Sequence, residues 1–217
     1  MPTIEQARDW YPSDDAVHGF DHVLRVYAMA ERLAEAEGAD LEIVRAAALL
    51  HDAGDGFASQ ADDPALRQGH QHASAEFAAR VLRLEGWPEA RVSAVLHCIR
   101  AHRFRDDSEP PATLEAKVLF DADKLDAIGA IGAARALAFA LRAGQPVYAP
   151  PSEQFLRSGQ TGPDEPHSAY HEYRFKLVKL RERLFTSSAR QIAEERHQMM
   201  VDFFERLAEE ASGRRVG

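Results

Sequence analysis

Two imidazoles and two carboxylates occur in this chain in an order that can close around one divalent cation. They are His22 in Asp21-His22-Val23-Leu24-Arg25-Val26, the adjacent pair His51-Asp52, and Asp123 in Asp121-Ala122-Asp123-Lys124-Leu125-Asp126. Imidazole nitrogen suits first-row transition metals and carboxylate oxygen suits harder ions, so the mixed set points to manganese, iron, cobalt, nickel or zinc rather than calcium. The His51-Asp52 pair follows the apolar run Ile43-Val44-Arg45-Ala46-Ala47-Ala48-Leu49-Leu50 and precedes Ala53-Gly54. Gly54 can supply a left-handed helix stop, which puts the pair at the last turn of a buried helix. A carboxylate there costs several kcal/mol to desolvate unless it is paired or bound to a metal.

The elements that must hold these residues read as helices. Over 14–37 the apolar positions Val17, Phe20, Val23, Leu24, Tyr27, Ala30, Leu33 and Ala34 recur at helical spacing, which sets His18 and His22 four residues apart on one inward face. His18 is therefore the substitute ligand for His22. Asp40 reads as the N-cap of a helix over 41–52, and 54–69 carries the Gly, Pro and Asp signals of a loop. A helix over 71–84 stops at Gly86, and Pro88 suits the first turn of the next, through Val92, Val95, Leu96 and Ile99. Thr113 caps a long helix running to about residue 141, with Asp123 in its apolar interior and Asp121 and Asp126 as alternatives to it. The irregular stretch 144–166 is long enough to be a functional segment such as a lid. Helices over 167–184 and 187–211 complete an all-α chain with no strand-period run and no repeat.

Composition bounds the function. At 217 residues, 45% hydrophobic and 28% charged, the chain has the make-up of an ordinary globular protein able to bury a full core. Its net charge of -9 argues against a general nucleic-acid-binding surface, while a bound dication could still supply local positive charge for a phosphate. Cys98, the one cysteine, lies in an apolar helical pattern and reads as a packed thiol. The N-terminus lacks the basic start and apolar core of a signal peptide, and the most apolar stretch, 125–141, is interrupted by Arg135. A cytoplasmic protein without a membrane span is the expectation.

Beyond the four ligand types, the phrases AALLHDAGD, EAKVLFDADKLDAIGAIGAARALAFA and SARQIAEERHQMMVDFF resemble the HD-domain superfamily of metal-dependent phosphohydrolases, in its compact bacterial YedJ/YpgQ-type branch. The likeness spans nearly the whole chain. It implies a single HD-type helical bundle over 1–217, with the H…HD…D core at about 14–143 and C-terminal helices at about 167–211 packed on it. It implies His22, His51, Asp52 and Asp123 as ligands of one divalent transition metal, manganese first. The implied reaction is hydrolysis of a phosphoanhydride or phosphoester bond of a nucleotide by metal-activated water, with a nucleoside triphosphate pyrophosphohydrolase as the finer reading.

Related sequences often carry an acidic residue three positions after the HD pair. Here that residue is Asp55, one methylene shorter than the usual Glu, and it is the candidate general base. Arg25, one turn from His22, and Lys124, beside Asp123, are candidate phosphate contacts, and His102 matches a family position for the same role. Arg25 could equally clamp a carboxylate such as Asp126. His70, His72, His97 and His102 fall in the interval where some relatives hold a second metal, but no adjacent His-His pair is present, so a mononuclear site is expected. Competing functions stay open: a phosphodiesterase or nucleotidase, a non-catalytic nucleotide-sensing module that keeps the metal, and an HD-type di-iron oxygenase. Substrate varies more than fold, and the sequence does not give the oligomeric state.

Overall fold

The computed structural model describes residues 1–11, 19–54, 69–103 and 109–213, and among these every regular element is helical. In chain order they are α1 (Ile4–Arg8), α2 (Phe20–Glu37), α3 (Leu41–Leu50), α4 (His70–Leu84), α5 (Glu89–Ala101), α6 (Leu114–Asp126), α7 (Gly129–Arg142), α8 (Glu153–Ser158), α9 (Ala169–Phe175), a 3-10 helix (Leu177–Arg183) and α10 (Ser187–Ala211). Packing resolves the chain into two compact units, 1–123 with 185–189, and 124–184 with 190–217. Two of the chain crossings between units, at 123/124 and 189/190, fall inside α6 and α10.

In the first unit α2 packs on α3, α4 on α5, and α3 on both α4 and α5. The apolar stripes meet as the periodicity requires, with Val23, Val26 and Leu33 of α2, Leu50 of α3, Leu82 of α4, and Val92, Val95 and Ile99 of α5 fully buried. Three consecutive alanines, Ala46, Ala47 and Ala48, make α3 thin enough to be buried on nearly every side. Asp40 caps α3 as expected, accepting from the amides of Glu42 and Ile43. α1 was not legible from apolar periodicity, although its capping box is in the sequence: the Thr3 hydroxyl accepts from the Gln6 amide and the Gln6 side chain accepts from the Thr3 amide.

Asp121 ties a distant segment to α6. It is fully buried, and its carboxylate accepts from the amides of Phe185 (2.9 Å) and Thr186 (2.7 Å) and from the Thr186 hydroxyl (2.7 Å). Thr186 in turn accepts from the Ala189 amide at 3.3 Å, so one buried charge sets the start of α10. The aspartate two residues before Asp123 is thus fully occupied.

The second unit holds α9 against α7, α8 and the 3-10 helix. Tyr173 of α9 stacks on Phe204 of α10 with centroids 4.5 Å apart and planes 9° from parallel. The continuous helix expected from Thr113 to residue 141 is interrupted between Asp126 and Gly129. Gly129 has φ +77°, and a Cβ on Gly132 would lie 2.2 Å from the Ala127 carbonyl oxygen, so the chain turns where glycine alone fits. Asp123 consequently sits in the last turn of α6, not in a helix interior. The single helix expected over 167–184 is likewise divided into α9 and the 3-10 helix.

The irregular segment 144–166 contains α8 and is tied by Glu165. That carboxylate accepts from the Ser152 amide (2.6 Å), the Ser152 hydroxyl (2.7 Å) and the Gly162 amide (2.9 Å), and contacts His171 Nε2 at 3.1 Å. The backbone amides of Ser152 and Gly162, then the Ser152 hydroxyl and His171, pull the Glu165 carboxyl down to about 2.

Two outcomes follow from these buried or bonded carboxylates. Asp121→Ala leaves two amides and a hydroxyl without their acceptor and should destabilise by about 3 kcal/mol, a fall of roughly 6–12 °C in melting temperature. An unchanged melting curve would mean that water replaces the carboxylate. Because the Glu165 pKa is depressed on folding, its stabilisation is present above the ordinary glutamate pKa near 4.5 and lost as pH falls toward 2. The stability gap between wild type and Glu165→Gln should therefore be widest above pH ~4.5 and close toward pH ~2 in acid-unfolding curves.

Candidate metal centre

Helix ends deliver the candidate ligands. His51 is the C-cap of α3 with Asp52 in the turn that follows, Asp123 lies in the last turn of α6, and His22 lies in the first turn of α2. A helix C-terminus carries the negative end of its dipole, so two such ends bearing carboxylates repel one another until a cation lies between them. After the pair, Gly54 takes φ +119°, and a Cβ there would meet Phe77 of α4 at 3.2 Å. The expected left-handed turn is present, and it brings the chain leaving the HD pair against α4.

The donor atoms converge. His22 Nε2 is 3.5 Å from Asp123 Oδ1 and 4.0 Å from Asp52 Oδ2, and His51 Nε2 is 3.5 Å from Asp52 Oδ2. Ligand atoms each ~2.1 Å from a common ion stand about 3.0–3.4 Å apart in octahedral or tetrahedral geometry, so the two 3.5 Å pairs are close to coordination spacing and the His22–Asp52 pair is wider. His51 supplies a direct test of fit. Its Nδ1 lies 2.8 Å from the Ala48 carbonyl, which can only accept, so Nδ1 carries the proton and Nε2 carries the lone pair. That Nε2 is fully buried and has no hydrogen-bond partner among the described residues. A buried lone pair aimed at two carboxylates is costly by itself and satisfied by a cation.

Six side chains, not four, meet here. The ligand atoms of His22, His51 and Asp123 form one group that could hold an ion, and those of Asp52, His70 and His102 form a second, all within 4.8 Å of one another in each group. His70 Nε2 is 3.1 Å and His102 Nε2 3.4 Å from Asp52 Oδ1. His102, named from sequence as a phosphate contact, is buried with Nδ1 at 2.5 Å from the Ile99 carbonyl, so it is not an exposed helix-end residue. Burial pushes its imidazole down to about 4, against the opposing pull of Asp52, and leaves it neutral near pH 7. Burial would raise the Asp52 carboxyl, but the surrounding histidines, His51 first and then His102 and His70, together hold it well below the usual range.

Other sequence candidates are distributed differently. Arg25 pairs with Asp21 on its own helix at 2.6 Å, and Asp126 pairs with Arg135. Lys124 is half-buried and follows Asp123 in α6. His97 lies 2.5 Å from Glu109, which also accepts from Arg100, and His72 is exposed. Asp55 and His18 lie outside the described residues. Tyr11 is an addition that periodicity did not indicate: its buried hydroxyl donates to the Leu49 carbonyl at 2.8 Å, satisfying an acceptor at the end of α3 just before the HD pair. Burial, and then the Asp52 charge, raise the Tyr11 phenol well above its ordinary pKa.

A model of the HD domain matches residues 19–128, from the start of α2 past the end of α6. This chain belongs to the HD-domain family. It is 34% identical to the protein YpgQ of Bacillus subtilis (strain 168) over 220 residues, 98% of this chain and 96% of that one. The crystal structure of B. subtilis YpgQ in complex with ADP aligns with a TM-score of 0.70 at 33% identity, covering 96% of this chain and 97% of that one. An HD-superfamily hydrolase from Bacillus thuringiensis aligns with a TM-score of 0.67 at 30% identity, over 96% of each chain. The expected all-α HD fold is therefore present, and the family carries a divalent metal. Among the described residues no helix is long and apolar enough to cross a membrane.

A shell built on two carboxylates should not survive the loss of either. Elemental analysis of purified Asp52→Ala and Asp123→Ala should find each depleted, relative to wild type, of the divalent metal that the family implies. Full occupancy in both variants would overturn the ligand set.

Proposed function

We propose that this chain is a divalent-metal-dependent phosphohydrolase acting on a nucleotide, with His22, His51, Asp52 and Asp123 holding the ion. The observation that carries the reading is the buried Nε2 of His51, which has no hydrogen-bond partner among the described residues and lies near two carboxylates and a second imidazole. When bound, the ion would supply Lewis acidity for a phosphoryl oxygen and lower the pKa of a coordinated water. Manganese is the proposed ion, with iron, cobalt, nickel or zinc as the other members of the class that fits two nitrogens and two oxygens.

The chain's own groups do the remaining work. Asp55, three residues beyond Asp52, is the proposed general base, accepting a proton from the attacking water. Arg25 lies one turn from His22 on α2 and is half-buried, so its guanidinium can exchange part of its pairing with Asp21 for a phosphate oxygen. The enclosing apolar helices lower the local dielectric, which strengthens each of these charge contacts. ADP in the crystal structure of the relative YpgQ supports a nucleoside phosphate as the ligand class. Within that class we propose cleavage of a nucleoside triphosphate to its monophosphate and pyrophosphate.

A panel of nucleoside mono-, di- and triphosphates and cyclic nucleotides, each with several divalent metals, tests the proposal by product identity. Pyrophosphate is the expected product. Release of inorganic phosphate or of a ring-opened nucleotide would replace the finer reading with a nucleotidase or phosphodiesterase. Nucleotide-dependent stabilisation without product would replace it with a sensing module. Asp55→Asn, which keeps size and polarity but cannot take the proton, should retain metal and lose roughly 10²–10⁴-fold in turnover. Normal turnover with metal retained would remove Asp55 from the mechanism.

A further inference from the structure

The two donor groups differ in how their histidines are held. His51 and His102 each direct Nδ1 at a backbone carbonyl, of Ala48 and Ile99, and so present an Nε2 lone pair inward. His70 is held the opposite way. Its Nδ1 is contacted by Nη1 of Arg103, and a guanidinium has only donors, so Nδ1 must carry the lone pair and the ring proton must sit on Nε2. That Nε2–H donates to Asp52 Oδ1 at 3.1 Å. The two oxygens of Asp52 then face different neighbours: Oδ1 receives the His70 N–H and lies 3.4 Å from His102 Nε2, while Oδ2 faces His51 at 3.5 Å and His22 at 4.0 Å.

We propose that Arg103 and His70 form a positioning relay that fixes the Asp52 carboxylate for one ion and closes the Asp52–His70–His102 group to a second. Coordination through His70 Nε2 would displace its hydrogen bond to Asp52 and break the Arg103 contact that orients the ring, and would bring a dication toward a permanent guanidinium charge. Both effects oppose a binuclear centre, although the donor atoms alone are close enough for one. A carboxylate oriented by a hydrogen-bonded second residue also binds its metal more tightly, because that oxygen no longer reorients on binding. The inference rests on the metal site proposed above, and the experiment separates the two.

Manganese is titrated calorimetrically into the metal-stripped full-length chain and its His70→Gln, His70→Ala and Arg103→Met variants. Wild type should bind one ion. His70→Gln keeps an N–H donor for Asp52 and should bind one ion with nearly unchanged affinity. His70→Ala should still bind one ion, about 10–100-fold more weakly, and Arg103→Met should fall between. A nitrogen-15 spectrum of the zinc-loaded wild-type protein should show His70 protonated on Nε2, with metal-coordinated Nε2 atoms in His22 and His51. Two ions per wild-type chain, dropping to one in His70→Gln, would make His70 a ligand and overturn the relay. A metal-coordinated or Nδ1-protonated His70 would overturn it as well. No ion in wild type would overturn the metal site itself.

Discussion

The arrangement turns on one buried charge, the Asp52 carboxylate just past the C-terminus of α3. Burial and the negative end of the α3 dipole both oppose an anion there, and Asp123 adds a second carboxylate near the end of α6. Of the nearby histidines His70 answers part of that cost by donating to Oδ1, while Nε2 of His102 also lies near Oδ1 and Nε2 of His22 and His51 lie nearer Oδ2. An imidazole lone pair cannot supply the charge that two carboxylates require, which is why the His51 Nε2, without a hydrogen-bond partner among the described residues, and the anionic pair are one problem with one answer. Tyr11 belongs to the same constraint: by taking the Leu49 carbonyl it satisfies the helix end that would otherwise compete for a donor beside Asp52.

Three carboxylates within six residues of α6 illustrate how position on a helix divides roles. Asp121 accepts from the amides of Phe185 and Thr186, and Asp126 pairs with Arg135. Asp123 faces His22 instead. Residues 121 and 123 are about 200° apart around the helix axis, so two neighbours of one type meet different surroundings. Spacing alone left all three open, and the partners that separate them come from residues 9 to 101 positions away.

What could be read from sequence was what local chemistry encodes. The H…HD…D order, the Asp40 cap, the Gly54 turn and the apolar stripes of α2 and α3 are local signals, and each is present. The interruption before Gly129 was missed because apolar periodicity continues through it, while the steric reason lies between Gly132 and the Ala127 carbonyl. The division of 169–183 into two short helices is of the same kind. His70 was visible only as one of several histidines in an interval. Its role depends on Arg103, 33 residues on, and on which ring nitrogen that guanidinium meets, a property no spacing rule contains.

The charge balance of the site explains why the substrate is harder to read than the metal. In the proposed site two carboxylates and one dication would sum to zero, and the chain as a whole carries -9, so the ligand set by itself would give a polyphosphate no net attraction. Positive donors outside that set must supply it, and those nearest in the chain are already engaged: Arg25 with Asp21, and Arg103 with His70. Affinity for a particular phosphate chain is therefore set by how much each pairing relaxes when the ligand arrives. That quantity depends on second partners rather than on the H…HD…D residues themselves, and it can change between relatives while the fold and the metal set stay the same.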